Sequence, residues 1–86
     1  MKLTIASGGS RTQHFSYWLV PPTAGGGYDW RYLRELVVPP LTQVTAPDDL
    51  SAAQITDVTT QLRQAGFVTP AEVVSGKPYP GSYSFS

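Results

Sequence analysis

One stretch of this chain is written as a helix from cap to cap, and it limits what the remainder can be. Ser51 can accept from the backbone of Gln54, and the Gln54 amide can reach back, which is a reciprocal capping box. Leu50 and Ile55 hold the two positions of a hydrophobic staple around that cap. Ile55, Val58, Leu62 and Ala65 step by three, four and three, giving one apolar face. Thr56, Asp57, Thr60, Gln61, Arg63 and Gln64 form the polar remainder. Gly66 is placed to end the helix in the left-handed region, and Phe67 can fold back on Leu62. The spacing predicts a helix over 51–65. Elsewhere the apolar runs are short and punctuated by eight Gly and eight Pro, so strands and tight turns must supply the other elements.

Residues 2–6, KLTIA, alternate Leu3 and Ile5 with polar or small neighbours and read as a half-buried strand. A turn cluster, Ser7-Gly8-Gly9-Ser10, leads to a second extended run over 12–20. Phe15, Tyr17 and Leu19 take one face there; His14, Ser16, Trp18 and Val20 take the other. Bulk on both faces predicts cover on both sides, and Pro21-Pro22 ends the run. These two strands are expected to pair as a hairpin. After the loop at 23–27, Asp29 reads as an N-cap with Trp30, Leu33 and Val37 at helical spacing. That predicts a two-turn helix with Trp30 and Leu33 inward and Arg31, Arg34 and Glu35 outward, stopped before Pro39-Pro40. Residues 41–45 suit a third strand. Thr69-Pro70-Ala71-Glu72 repeats the helix-start signal, closed soon by Gly76 and Pro78, with a strand over 71–74 as the alternative. The last residues alternate small and aromatic, placing Tyr83 and Phe85 on one face of a segment that can join its own sheet edge or a neighbour's.

The expected architecture is a single α+β domain over 1–86: a small antiparallel sheet of two to four strands packed against the main helix, plus one or two short helices. Residues 77–86 form an extended contact tail.

Composition removes most sharp functions. The chain has 86 residues, no cysteine and one histidine, which excludes disulfides, iron–sulfur clusters and zinc sites that use cysteine or two histidines. A domain this small has a thin margin of stability, so a partner surface is the open route to more. Six Lys and Arg balance six Asp and Glu, so no long-range field draws in nucleic acid or anionic lipid. Charged residues are 14% of the chain, against about 25% in ordinary soluble domains. No apolar run is long enough to span a membrane, and residues 1–10 lack the pattern of a signal peptide. The expected location is cytoplasmic or within a virion-like particle.

No catalytic, cofactor or metal site is predicted. His14 lies in a strand beside Phe15 and reads as structural, and no G-x-S-x-G turn is present. Asp48 and Asp49 precede the main helix, where carboxylates complement its dipole. Gly25-Gly26-Gly27 lacks the flanking pattern of a phosphate-binding loop. The aromatic residues are more informative. Trp18, Tyr28, Trp30, Tyr32, Tyr79, Tyr83 and Phe85 exceed what one small core encloses. Trp, Tyr and Arg dominate interface energetics, so Tyr28, Arg31, Tyr32, Arg34, Tyr79, Tyr83 and Phe85 are the expected protein contacts, with Trp18 and Trp30 in the core. The function expected is a small non-enzymatic protein-binding or structural subunit, an accessory piece of a larger, phage-like assembly. The alternatives are a small inhibitor that occludes a host protein, or a weak nucleic-acid module using Trp30, Arg31, Tyr32 and Arg34.

Overall fold

Leu3 and Ile5 have no exposed surface: their strand has a partner on each edge, and the shared core covers the face they point to. In the computed structural model, which describes residues 1–20, 25–73 and 78–86, β1 (Leu3–Ser7) is the middle strand of a three-stranded antiparallel sheet. Pro21-Pro22, Thr23, Val74, Gly76 and Lys77 lie outside the described residues. The strand at Gln43–Thr45, called β4 in chain order, sets Val44 opposite Ile5. The strand at Gly81–Phe85, β5, sets Tyr83 opposite Ile5 from the other side. Period-two alternation then sends Leu3, Ile5 and Tyr83 to one face, where all three are buried. Lys2 and Ser86 close the far end by exchanging both backbone bonds, at 2.8 and 3.0 Å.

The remaining strands, β2 (Gln13–Trp18) and β3 (Leu33–Val38), form a separate two-stranded antiparallel sheet. The expected hairpin between the first two strands is therefore not formed. Both edges of β1 are taken by segments distant in sequence, and the glycine turn serves as a corner between sheets. The Ser7 hydroxyl holds that corner, donating to the carbonyls of Gly9 and Arg11 at 3.1 and 3.2 Å. Nor is there a helix after Asp29. Asp29 does act as a cap, accepting from the Arg31 backbone at 3.1 Å, but it caps one 3-10 turn, Trp30–Tyr32, and the chain then becomes β3. Two turns of isolated helix are too short to hold by themselves. As a strand, the segment buries Leu36 and Val38 beside Phe15 and Tyr17.

Helix α1 (Ala52–Gln64) forms with both arms of the capping box: Gln54 N–H to Ser51 Oγ at 3.3 Å, and Ser51 N–H to Gln54 Oε1 at 2.9 Å. Gly66 ends it at φ +90°. Phe67 N–H reaches Leu62 O at 3.0 Å and Gly66 N–H reaches Arg63 O at 3.1 Å, the paired bonds of a Schellman termination. Val58 and Leu62 are buried, Ile55 packs against the core, and Ala65 is exposed. The second cap signal yields a single 3-10 turn, Pro70–Glu72, which the Thr69 side chain does not cap. Its Glu72 is paired instead to Arg63 of α1. Just before it, Val68 makes a parallel bridge beside β5, donating to Gly81 O and accepting from Tyr83 N–H.

One core unites both sheets and the helix. Phe15 stacks on Tyr17 with centroids 5.7 Å apart and meets Phe67 edge-on at 5.4 Å. Gly81 has a specific part in this packing. A Cβ there would lie 2.2 Å from the Ala6 carbonyl oxygen, so only glycine lets β5 approach β1 this closely. Among the described residues no helix is long and apolar enough to cross a membrane.

Gly81→Ala is expected to cost about 3 kcal/mol or more, since the clash is with backbone and cannot be relieved by a side-chain turn. Gly9→Ala meets nothing within 4 Å and should stay within about 0.5 kcal/mol of the parent. Urea denaturation of the two variants checks both; equal midpoints would contradict the close approach.

Candidate contact surface

The β2–β3 sheet has one covered face and one open face. The register sets Trp18 opposite Leu33, Ser16 opposite Glu35, and His14 opposite Val37. Alternation puts these six on the face away from Phe15, Tyr17, Leu36 and Val38. Leu33, Glu35, Val37, His14 and Ser16 are all exposed, so the expected cover on both sides of β2 is absent there. His14 Nε2 lies 3.3 Å from Glu35 Oε1 across the strands, a contact between two exposed side chains on an open sheet face rather than in a cleft.

At the Trp18 end this face becomes aromatic. Trp18 is half-buried under Tyr28, with centroids 5.0 Å apart and planes 21° from parallel. The 3-10 turn then projects Trp30, which is 77% exposed, and Tyr32, which is exposed as well. Trp30 was expected in the core; the turn's geometry directs it outward, because β3 takes its inward residues from Arg34, Leu36 and Val38. Asp29 organises this turn twice over. It caps the Arg31 backbone and also binds the Arg31 guanidinium at 3.0 and 2.7 Å. Those bonds hold the Asp29 carboxyl below the usual carboxylate range.

Two polar devices fix the sheet from behind. Arg34 Nε donates to Asp48 Oδ1 at 3.2 Å, and the Tyr17 hydroxyl donates to Asp48 Oδ2 at 3.1 Å. One carboxylate ahead of α1 thereby holds a residue from each strand. Desolvation first, and the Asp48 charge second, push the Tyr17 phenol well above its usual pKa. The other device is Gln61 of α1. Its Oε1 accepts from Trp18 N–H and its Nε2 donates to Trp18 O, both at 2.9 Å. A side-chain amide thus occupies the edge of β2 as a further strand would. Gln61 belongs to the polar remainder of the helix, and sequence alone carries no sign of the strand edge it meets.

The expected contact residues are therefore divided. Tyr28, Arg31 and Tyr32 are exposed at the aromatic end. Arg34 is half-buried and engaged by Asp48. Tyr83 is a core residue, 4% exposed, and Phe85 packs against that core with its ring edge-on to Tyr83 at 6.0 Å. Tyr79 lies apart from the aromatic end, against the turn at Gly8. The exposed Gly25-Gly26-Gly27 loop precedes only a three-residue 3-10 turn. No group of His, Asp and Glu suited to a metal ion occurs among the described residues. Comparison with protein-family models, curated proteins and solved structures gave no match.

The raised Tyr17 pKa has a definite pH signature. The fold favours the protonated phenol, so this contribution is complete below the ordinary tyrosine value of about 10 and is lost as pH rises above it. Alkaline unfolding followed by circular dichroism should show stability falling above about pH 10. Tyr17→Phe should cost about 1 kcal/mol at neutral pH and flatten that decline; an unchanged alkaline profile would remove the tyrosine from this role. Gln61→Leu should cost about 1–3 kcal/mol by stripping both partners from the Trp18 backbone, and an unaltered thermal midpoint would contradict the clasp.

Proposed function

We propose that this chain is a small non-enzymatic protein-binding subunit, an accessory component of a larger assembly, that docks through the aromatic end of its β2–β3 sheet. The observation that carries this reading is Trp30, 77% exposed on a turn capped by Asp29. A Trp side chain has only two torsions to order on contact, and Trp and Tyr are the residues on which interface energy concentrates. Tyr32 and Leu33 adjoin it in sequence and are exposed as well.

Protein is favoured over nucleic acid by the state of the cations. Arg31 is bound by Asp29 and Arg34 by Asp48. Neither guanidinium is left to neutralise phosphate, which is the main source of nucleic-acid affinity. The overall balance of six against six adds no steering toward a polyanion. The shape suits a contact piece: the radius of gyration is 13.1 Å, against about 12 Å for a compact domain of this length.

The double variant Trp30→Ala, Tyr32→Ala tests the reading. Both side chains are exposed, so the α1 signal in circular dichroism should be unchanged. Recovery of a stoichiometric protein partner from the native source should fall at least about tenfold relative to the parent. Equal recovery by both would overturn the proposal, as would tight binding of a fluorescent single-stranded oligonucleotide at low salt.

A further inference from the structure

A second surface lies away from the aromatic end, where the corner after β1 meets the start of β5. Gly8, Gly9, Ser10, Arg11, Gln13 and Tyr79, with Pro78, line an open concavity of about 310 Å³. Its walls are held from two sides. The Ser7 hydroxyl ties the carbonyls of Gly9 and Arg11. Gly8 N–H bonds to Pro80 O at 2.9 Å, and Tyr79 packs so closely on Gly8 that a Cβ there would lie 2.8 Å from its ring.

The charge of this concavity is unusual for the molecule. Arg31, Arg34 and Arg63 each bind a carboxylate, and Lys2 donates to the Pro47 carbonyl. Among the described Lys and Arg side chains, Arg11 alone has neither kind of partner, and none of the six acidic residues lines the concavity. Among the described cations the other four are held internally, and Arg11 lies in a hollow with the hydroxyls of Ser10 and Tyr79 and the amide of Gln13. We propose that this hollow binds a carboxylate presented by an acidic peptide segment. The planar guanidinium matches a carboxylate in two-point geometry, and the neutral donors around it complete the coordination. The rings of Pro78 and Tyr79 supply apolar surface for the methylenes of a Glu or Asp side chain. The volume is at the lower end of small-ligand sites, about 300–1,000 Å³, which admits one side chain with its flanking backbone. This assignment does not rest on the aromatic surface.

The test is a titration of the isotopically labelled full chain with acetyl-Glu-Glu-amide, followed by amide chemical shifts. Shifts should concentrate at Gly8, Gly9, Ser10 and Arg11, and acetyl-Gln-Gln-amide should bind at least about tenfold more weakly. Arg11→Gln should weaken the acidic peptide by about tenfold. Gly9→Asp should do the same by placing a competing carboxylate in the hollow; its Cβ enters open space, so the fold is kept. Trp30→Ala should leave the titration unchanged, which separates this site from the docking surface proposed above. Absence of shifts, equal binding of the Gln peptide, or indifference to Arg11→Gln would overturn the proposal. Tighter binding of inorganic phosphate than of the acidic peptide would overturn the carboxylate assignment.

Discussion

The rest of the structure depends on β1 having no free edge. A five-residue strand in an 86-residue chain buries Leu3 and Ile5 only because β4 and β5 flank it and α1 supplies apolar cover through Val58 and Leu62. The β5 side is the more exacting. Gly81 must face the Ala6 carbonyl without a side chain between them, and that approach sets Tyr83 opposite Ile5. Because the partners of β1 come from the middle and the end of the chain, the sheet forms only by closing long loops. Such closure costs entropy before packing compensates for it.

The β2–β3 sheet is built on a different principle. It has two strands, which are marginal without further support, and gains that support through side chains. Gln61 substitutes for a neighbouring strand at Trp18. Asp48 ties Tyr17 and Arg34 together from behind. These bonds hold one face against the core while the other leaves Leu33 and Val37 in solvent. A sheet face already ordered before contact leaves little to fix when a partner arrives, which is the physical reason for placing the proposed docking surface here.

What was legible in the sequence followed from range. The helix from Ala52 to Gln64 could be read with both its caps because every group that defines them lies within a few residues. Asp29 was legible as a cap for the same reason, and Tyr28 and Tyr32 as exposed aromatics. The segment after Asp29 was misread because Trp30, Leu33 and Val37 satisfy a helical period, while Leu36 and Val38 satisfy a strand period just as well. Only the presence of β2 beside it decides between them. Tyr83 looked like a contact residue because it lies near the end of the chain; pairing with β1 and the bridge to Val68 make it core.

By itself, then, the sequence determined the α+β class, the main helix with its terminations, and the neutrality that leaves no field for polyanions. Those properties depend on residue identity and on neighbours a turn away. Tertiary structure alone decided which strands pair, which aromatic rings face solvent, that Gln61 closes a sheet edge, and that Arg11 meets no carboxylate among the described residues. Each of these depends on groups brought together from distant parts of the chain, and no local pattern encodes which distant group arrives.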